Sequence, residues 1–244
     1  MDIFNSWIVQ QPIAHRGLHD DASPENSMSA FAKAIEAGYA IELDVRILAD
    51  GTPVVFHDES LARLTSNDGY LKFLNKSDLE LLTLNGTKEK IPTLEDVLNF
   101  VNGRTPILVE IKNDGGKVGE LERNVLSLLK NYKGEFAVQA FNPYTLEYFY
   151  KQAPHILRGQ LSGSLDNAPQ LSFFKKFGLR RMILNKKISR PHFIAYEAKT
   201  LPNRFVRKYK DLPLLAWPVQ SESEYLKIVK HCDNVIFEGF EPII

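Results

Sequence analysis

Eight short β-rich apolar runs recur along the 244-residue chain, at 13–14, 40–45, 106–111, 136–141, 156–161, 181–184, 212–217 and 234–237. Most are separated by segments with helical spacing, and strands that alternate with helices must join by crossovers into a parallel sheet. Eight strands of this length make a closed α/β architecture, the (β/α)8 TIM barrel, the expected fold. The whole chain, 1–244, reads as one barrel domain.

The clearest helix follows the first run. Ser23 can cap it, Pro24 suits its first position, and Met28, Phe31, Ala32 and Ile35 form an apolar stripe that ends at Gly38. A second helix should start at Thr93, with Glu95 and Asp96 at its positive end and Leu94, Val97, Leu98 and Val101 on the buried face. A third covers 120–129. The alternating run 52–57 follows the second strand after only Asp50-Gly51, which leaves no room for a crossover and predicts a hairpin. Counted from a two-residue turn, that hairpin sets Asp44 opposite His57. Residues 59–91 form a polar insertion, too long for a plain connection, with weak helical character at 77–82 and a cap-like role over the site expected. The chain stops a few residues after Phe237, so the last outer helix is expected to be missing and the N-terminal residues to cover its place.

Thirty basic and 30 acidic residues leave a formal charge of zero, which favours neither nucleic acid nor an anionic membrane and fits a small substrate. The single cysteine, Cys232, suits a reducing compartment, and a role as a buried structural thiol outweighs a nucleophilic one. An acidic N-terminus without an apolar run argues against export, and no stretch reaches the roughly 20 apolar residues that stable membrane insertion requires. A cytoplasmic protein, monomer or homodimer, is expected.

Chemistry concentrates at the ends of the strands. Glu42 and Asp44 lie two apart on one strand and so share a face, which on a barrel strand is the interior or its mouth. Buried unpaired carboxylates are costly, and a hard divalent ion with oxygen ligands is their natural partner. Glu110 and Lys112 repeat the spacing on another strand. Glu110 can complete a three-carboxylate metal site, and Lys112 can hold an anionic ligand that the metal also touches. His15 and Arg16 end the first strand before Gly17, and His57 and Asp58 end the hairpin. Two histidines facing one phosphate could divide proton removal and proton delivery. Each motif alone has a structural explanation, as an ion pair or a core histidine, but four of them opening onto one face form a joint signal.

At this point the chain resembles the glycerophosphodiester phosphodiesterases of bacterial type. The resemblance runs through AHRG, SPENS, AFAKAIEAG, IELDVRILADGTPVVFHDESLARLT, IPTLEDVL, LVEIK, VQAFN and LLAWPV, nearly the whole chain. It implies a (β/α)8 barrel with 59–91 as its small insertion, cleaving glycerophosphodiesters to glycerol 3-phosphate and an alcohol in glycerol and lipid metabolism. It further implies Glu42, Asp44 and Glu110 as ligands of one divalent cation, Mg2+ or Ca2+ with Mn2+ also suited. His15 and His57 are the implied acid–base pair, and Arg16 and Lys112 the phosphate cations. Glu25 and Asn26 are implied as support, and Phe141 and Trp217 as the aromatic wall near the substrate's glycerol or head group. Both aromatics could equally be core residues, and Asn26 an ordinary helix-start residue. The chain departs from the family pattern late: Ala140 replaces a frequent Ser, Pro218 a usual Thr, and FEGFEP a common Thr-Asp-x-Pro. Two other readings stay open, a lysophospholipase D-like enzyme using Tyr70, Leu71, Phe73 and Leu74 to hold an acyl chain, and a non-catalytic phospholigand-binding barrel.

Overall fold

A computed structural model describes residues 2–113, 117–165 and 173–242. The chain divides into two compact units, Ala14–Phe136 and the rest of the chain. Strands appear in the order β1 (Ile13–Ala14), β2 (Ala40–Ile47), β3 (Pro53–Val55), β4 (Ile107–Ile111), β5 (Phe136–Ala140), β6 (Leu157–Ser162), β7 (Phe193–Glu197), β8 (Leu214–Val219) and β9 (Asn234–Phe237). With β3 set aside as a hairpin strand, the remaining eight match the number expected of the barrel.

In the unit Ala14–Phe136, β2 is parallel to β4 and antiparallel to β3. Every residue of β4 is buried, and only Arg46 and Ile47 of β2 are not, as befits strands covered on both faces. The expected helices form at Met28–Glu36, Leu94–Val101 and Glu120–Leu129. Thr93 and Asp96 close a capping box at the second, which satisfies two of the backbone N–H groups a helix start leaves open. The first helix differs from expectation at its start: Ser27, not Ser23, caps it by accepting from Ala30 N. Asn26 explains the difference, because its φ of +59° is left-handed and stops the helix from extending back to Pro24.

The hairpin also differs. β2 and β3 pair Val45 with Val55 and Ile47 with Pro53, and Leu48 N donates to Thr52 O. The loop therefore holds three residues, Ala49, Asp50 and Gly51, with Gly51 at φ +84° in the position such loops give to glycine. The extra residue shifts the register by one, so Asp44 bonds through its carbonyl to Phe56 N rather than standing opposite His57. Within 59–91 three short helices, Ala62–Thr65, Leu71–Phe73 and Lys76–Leu81, wrap an apolar cluster of Leu61, Leu64, Leu71, Leu79, Leu82 and Leu84, joined by Phe56 from the hairpin.

In the rest of the chain, β5 to β9 run parallel, each beside its sequence neighbour. Helices Pro143–Gln152, Phe173–Arg180 and Glu222–Ile228 fill connections between them. The expected strand at 181–184 is not one. Met182 has a left-handed φ of +51° and Ile183 is exposed, whereas Phe193–Glu197, which buries four consecutive residues, supplies the strand as β7. Pro218 lacks the N–H that a ladder needs, and the β8–β9 register slips between Ala216 and Val219. The N-terminal helix Trp7–Gln10 is tied to β9, since the Asn234 side-chain amide donates to Ile8 O at 2.7 Å and Gln11 O at 2.8 Å.

Candidate active site

Nine of the eleven residues expected at the site, all but Phe141 and Trp217, lie in the unit Ala14–Phe136. At the end of β1 the chain turns through Arg16 at φ +58° and Gly17 at φ +80°. A Cβ on Gly17 would come within 2.9 Å of the Ala30 backbone, so this turn requires glycine. It directs Arg16 N to Glu42 Oε2 at 3.0 Å, with His15 Nε2 4.0 Å from the same oxygen. Glu42 and Asp44 are fully buried on β2, and the parallel register sets Asp44 beside Glu110 on β4. One carboxylate oxygen from each of Glu42, Asp44 and Glu110 lies within 4.8 Å of the others.

Two cations penetrate this acidic group. Lys112 Nζ is 3.0 Å from Asp44 Oδ1 and 2.6 Å from Glu110 Oε1, and Arg16 Nε is 3.1 Å from Asp44 Oδ2. Asn26 clamps Asp44 from both sides: its amide donates to Oδ2 at 2.9 Å and its carbonyl accepts from Asp44 N at 3.2 Å. These two hydrogen bonds to β2 hold Asn26 in its left-handed backbone conformation. Lys112 Nζ is shared between Asp44 Oδ1 and Glu110 Oε1 as an ion pair, and among the described residues neither oxygen has a further hydrogen-bond partner.

Electrostatics divides the acids. Burial, with the charges of Asp44 and Glu110, pushes the Glu42 carboxyl well above the usual range. Burial acts on Asp44 too, but Lys112, His57, Arg16 and His15 outweigh it and hold its carboxyl well below that range. Burial lowers the Lys112 ammonium less than Asp44 and Glu110 raise it, so it stays charged. Were all three carboxylates ionised, the two fixed cations would leave one negative charge uncompensated in a buried site, which is why Glu42 tends to keep its proton. A divalent ion bound by hard oxygen donors would compensate that charge and draw Glu42 into its ionised form.

A second network holds His57. Its Nδ1 meets Asp58 Oδ1 at 2.5 Å, Asp58 Oδ2 meets Arg63 Nε at 2.6 Å, and Arg63 grips Glu25 through Nη1 and Nη2 at 2.7 and 2.8 Å. Glu25 Oε1 then accepts from Arg16 Nη1 at 2.7 Å. Burial raises the Asp58 carboxyl, but hydrogen bonds from His57 and Arg63 outweigh it and keep Asp58 ionised far below its usual range. An ionised carboxylate can only accept, so Nδ1 carries the proton of this bond and Nε2 is left for chemistry. Arg46 Nε, donating to His57 O at 2.6 Å, fixes the backbone beneath. Asp58 and Arg63 are the residues that motif reading did not assign. The Asp next to His57 was visible, but nothing in the spacing showed that an arginine of the insertion would bridge it to Glu25.

In the other unit, Phe141 and Trp217 pack edge-to-face with ring centroids 5.5 Å apart, both half-buried. Trp217 Nε1 is buried without a hydrogen-bond partner among the described residues. Cys232 gives its thiol to Ile228 O, and burial pushes that thiol up to about 12, which leaves it unreactive.

A sequence model of the Glycerophosphoryl diester phosphodiesterase family matches residues 15–236. The chain belongs to that family. A glycerophosphodiester phosphodiesterase from Caldanaerobacter subterraneus subsp. tengcongensis is 35% identical over 159 residues, 61% of this chain and 65% of the relative. One from Bacillus altitudinis is 31% identical over 169 residues, 65% of this chain and 69% of the relative. The matched stretch thus spans just under two thirds of the first relative's length. Among solved structures, a phosphodiesterase from Oleispira antarctica in complex with the product sn-glycerol-3-phosphate superposes with a TM-score of 0.78 at 23% identity, covering 95% of this chain and 93% of that one. A glycerophosphodiester phosphodiesterase from Thermotoga maritima gives 0.70 at 29% identity, covering 92% of each chain. The shared fold is the (β/α)8 barrel.

Proposed function

We propose that this family member, acting as one catalytic domain over 1–244 with 59–91 as its cap-like insertion, hydrolyses glycerophosphodiesters to sn-glycerol 3-phosphate and an alcohol. The observation that carries the reading is the buried group of Glu42, Asp44 and Glu110, whose ligand oxygens lie within 4.8 Å of one another and whose charges, once all are ionised, exceed those of Arg16 and Lys112 by one. The names of the relatives, and the product held by the Oleispira protein, supply the substrate class.

Glu42, Asp44 and Glu110 would hold one divalent cation, Mg2+, Ca2+ or Mn2+, which when bound polarises a phosphoryl oxygen. Arg16 and Lys112 neutralise the remaining phosphodiester charge, Arg16 being fixed for this by Glu25 and Asp44. One of His15 and His57 removes the proton from the attacking oxygen, water or the glycerol 2-hydroxyl. As the phosphorus–oxygen bond to the alcohol breaks, the other protonates the departing oxygen. Asp58, clamped by Arg63, orients His57 with Nε2 presented. Phe141 and Trp217 contribute the apolar wall for the glycerol or head group.

The test is release of glycerol 3-phosphate from a panel of diesters. Leu71 is spent inside the insertion's own cluster and Leu74 packs on it, so a soluble diester such as glycerophosphocholine is the expected substrate over lysophosphatidylcholine. A clear preference for the acylated substrate would instead support the lysophospholipase D-like reading. Binding of metal and diester without turnover would support the non-catalytic one.

The raised Glu42 carboxyl gives a pH dependence with a definite sign. Ion binding requires the carboxylate, so it displaces whatever proton Glu42 retains, and affinity for the ion should rise with pH across the range in which Glu42 ionises. Calorimetry in buffers of differing ionisation heat reads that proton directly. A flat affinity with no proton release would show that Glu42 is already ionised in the metal-free protein.

A further inference from the structure

The zero net charge hides a strongly uneven distribution. Residues 173–210 hold twelve of the chain's 30 Lys and Arg residues against one acid, Glu197, a formal +11 that the rest of the chain balances with −11. Glu197 is engaged, accepting from Ser164 N at 2.6 Å, and the next acid is Asp211. The catalytic reading uses none of these twelve cations.

Two stretches of the segment form one surface. The Arg181 guanidinium lies 4.0 Å from the Phe177 ring centre and 5.5 Å from that of Phe205. Lys208 Nζ donates to Arg181 O at 2.9 Å, and Tyr209 OH to Met182 O at 2.8 Å. Beneath them, Met182, Ile194, Tyr196 and Tyr209 make a small core with Leu201, Phe205 and Val206. Arg180, Arg204, Arg207 and Lys210, each next in sequence to one of these residues, are exposed, and so are the apolar Phe177 and Ile183, by 41% and 55%.

We infer that this basic, apolar-tipped surface docks the protein on an anionic phospholipid membrane. Cations near such a surface each add about 1 kcal/mol, roughly a fivefold gain in affinity, and large apolar side chains enter the boundary between headgroups and acyl chains. Nucleic acid fits less well. Arg181 already covers one face of Phe177, which would otherwise be a stacking platform for a base, and the aliphatic Ile183 has no counterpart on a phosphate backbone. No helix among the described residues is long and apolar enough to cross a membrane, so the association is peripheral. The inference stands apart from the catalytic reading, because it uses no residue of the active site.

The experiment is sedimentation of the full chain with vesicles of phosphatidylcholine alone or with about a third phosphatidylserine, at low and at high salt, where exposed charges are screened. Binding should require the anionic lipid and fall at least tenfold as salt is raised. Arg204→Glu, Arg207→Glu and Lys210→Glu together should lower partitioning more than 100-fold, given about fivefold for each charge removed and more for its reversal. Phe177→Ser should lower it several-fold even at high salt, and thermal melting checks that both variants fold. Should the triple variant unfold, the lipid and salt dependence of the parent and the single variant still decide. Equal binding to both vesicle types, no binding to either, or tighter binding to single-stranded RNA that Phe177→Ser leaves unchanged would overturn the proposal.

Discussion

Glu42→Gln is expected to abolish metal-dependent turnover while leaving the protein at least as stable as its parent, and Asp44→Ala to destroy both activity and stability. The two acids are two residues apart on β2 and equally buried, yet their surroundings differ. Glu42 is pushed toward its protonated form by burial and by its acidic neighbours, so a neutral amide of the same shape resembles what the metal-free site already favours. The Gln side chain can still accept from Arg16 N, as Glu42 does at 3.0 Å. What it lacks is the charge an ion needs, and a loss of at least about a thousandfold in turnover follows if one of three charged ligands to an essential metal is removed. Asp44 instead meets Arg16, Lys112 and Asn26 at once. Its removal leaves Lys112 with Glu110 alone and Arg16 with Glu25, and takes the acceptor from Asn26, a loss of buried partners that costs up to about 3–5 kcal/mol on top of the lost ligand. Thermal melts with and without metal separate the variants. A Glu42→Gln protein that melts far below the parent without metal would contradict the division of charge between the two acids.

The second large effect concerns the histidines. His15→Ala and His57→Ala should each lower kcat by about 100- to 10,000-fold, the range for losing one positioned proton-transfer group. Affinity for the divalent ion should change little, because neither side chain is among its carboxylate ligands. Combining the two should not multiply the losses, since a reaction that has lost one transfer gains little from the other. Asp58→Asn should reproduce a part of the His57 loss by releasing the tautomer that presents Nε2. Ion titration and steady-state kinetics on the same preparations test this. A histidine variant that keeps kcat but loses the ion would make that histidine a ligand.

How much of this was legible in the sequence follows from which interactions are local. Helices Leu94–Val101 and Glu120–Leu129 were readable because cap, stripe and stop lie within a few residues of one another. The cluster of Glu42, Asp44 and Glu110 was readable because two-residue spacing fixes a shared face whatever the rest of the chain does. The failures have one cause, tertiary demand overriding a local pattern. Ser23-Pro24 carries good helix-start chemistry, but Asn26 is held in a left-handed turn by Asp44, eighteen residues away. The hairpin register depended on whether Ala49 belongs to the loop, a question that Asp50-Gly51 answered wrongly by resembling a two-residue turn. The run at 181–184 has strand composition, yet β7 formed at 193–197 instead. The link from His57 to Arg16 through Asp58, Arg63 and Glu25 joins residues of three segments and has no signature in spacing. The charge asymmetry of 173–210 was in the sequence throughout, hidden by a net charge of zero.

The central claim is that three buried carboxylates hold the divalent ion on which phosphodiester hydrolysis depends. It is tested most directly by following glycerol 3-phosphate release from glycerophosphocholine by the purified full chain, first after thorough chelation and then with Mg2+, Ca2+ or Mn2+ added back singly. The account predicts no turnover in the chelated protein, recovery with at least one of the three ions, and no recovery with any of them in Glu42→Gln. Full activity in the chelated protein, or recovery in Glu42→Gln equal to that of the parent, would contradict it.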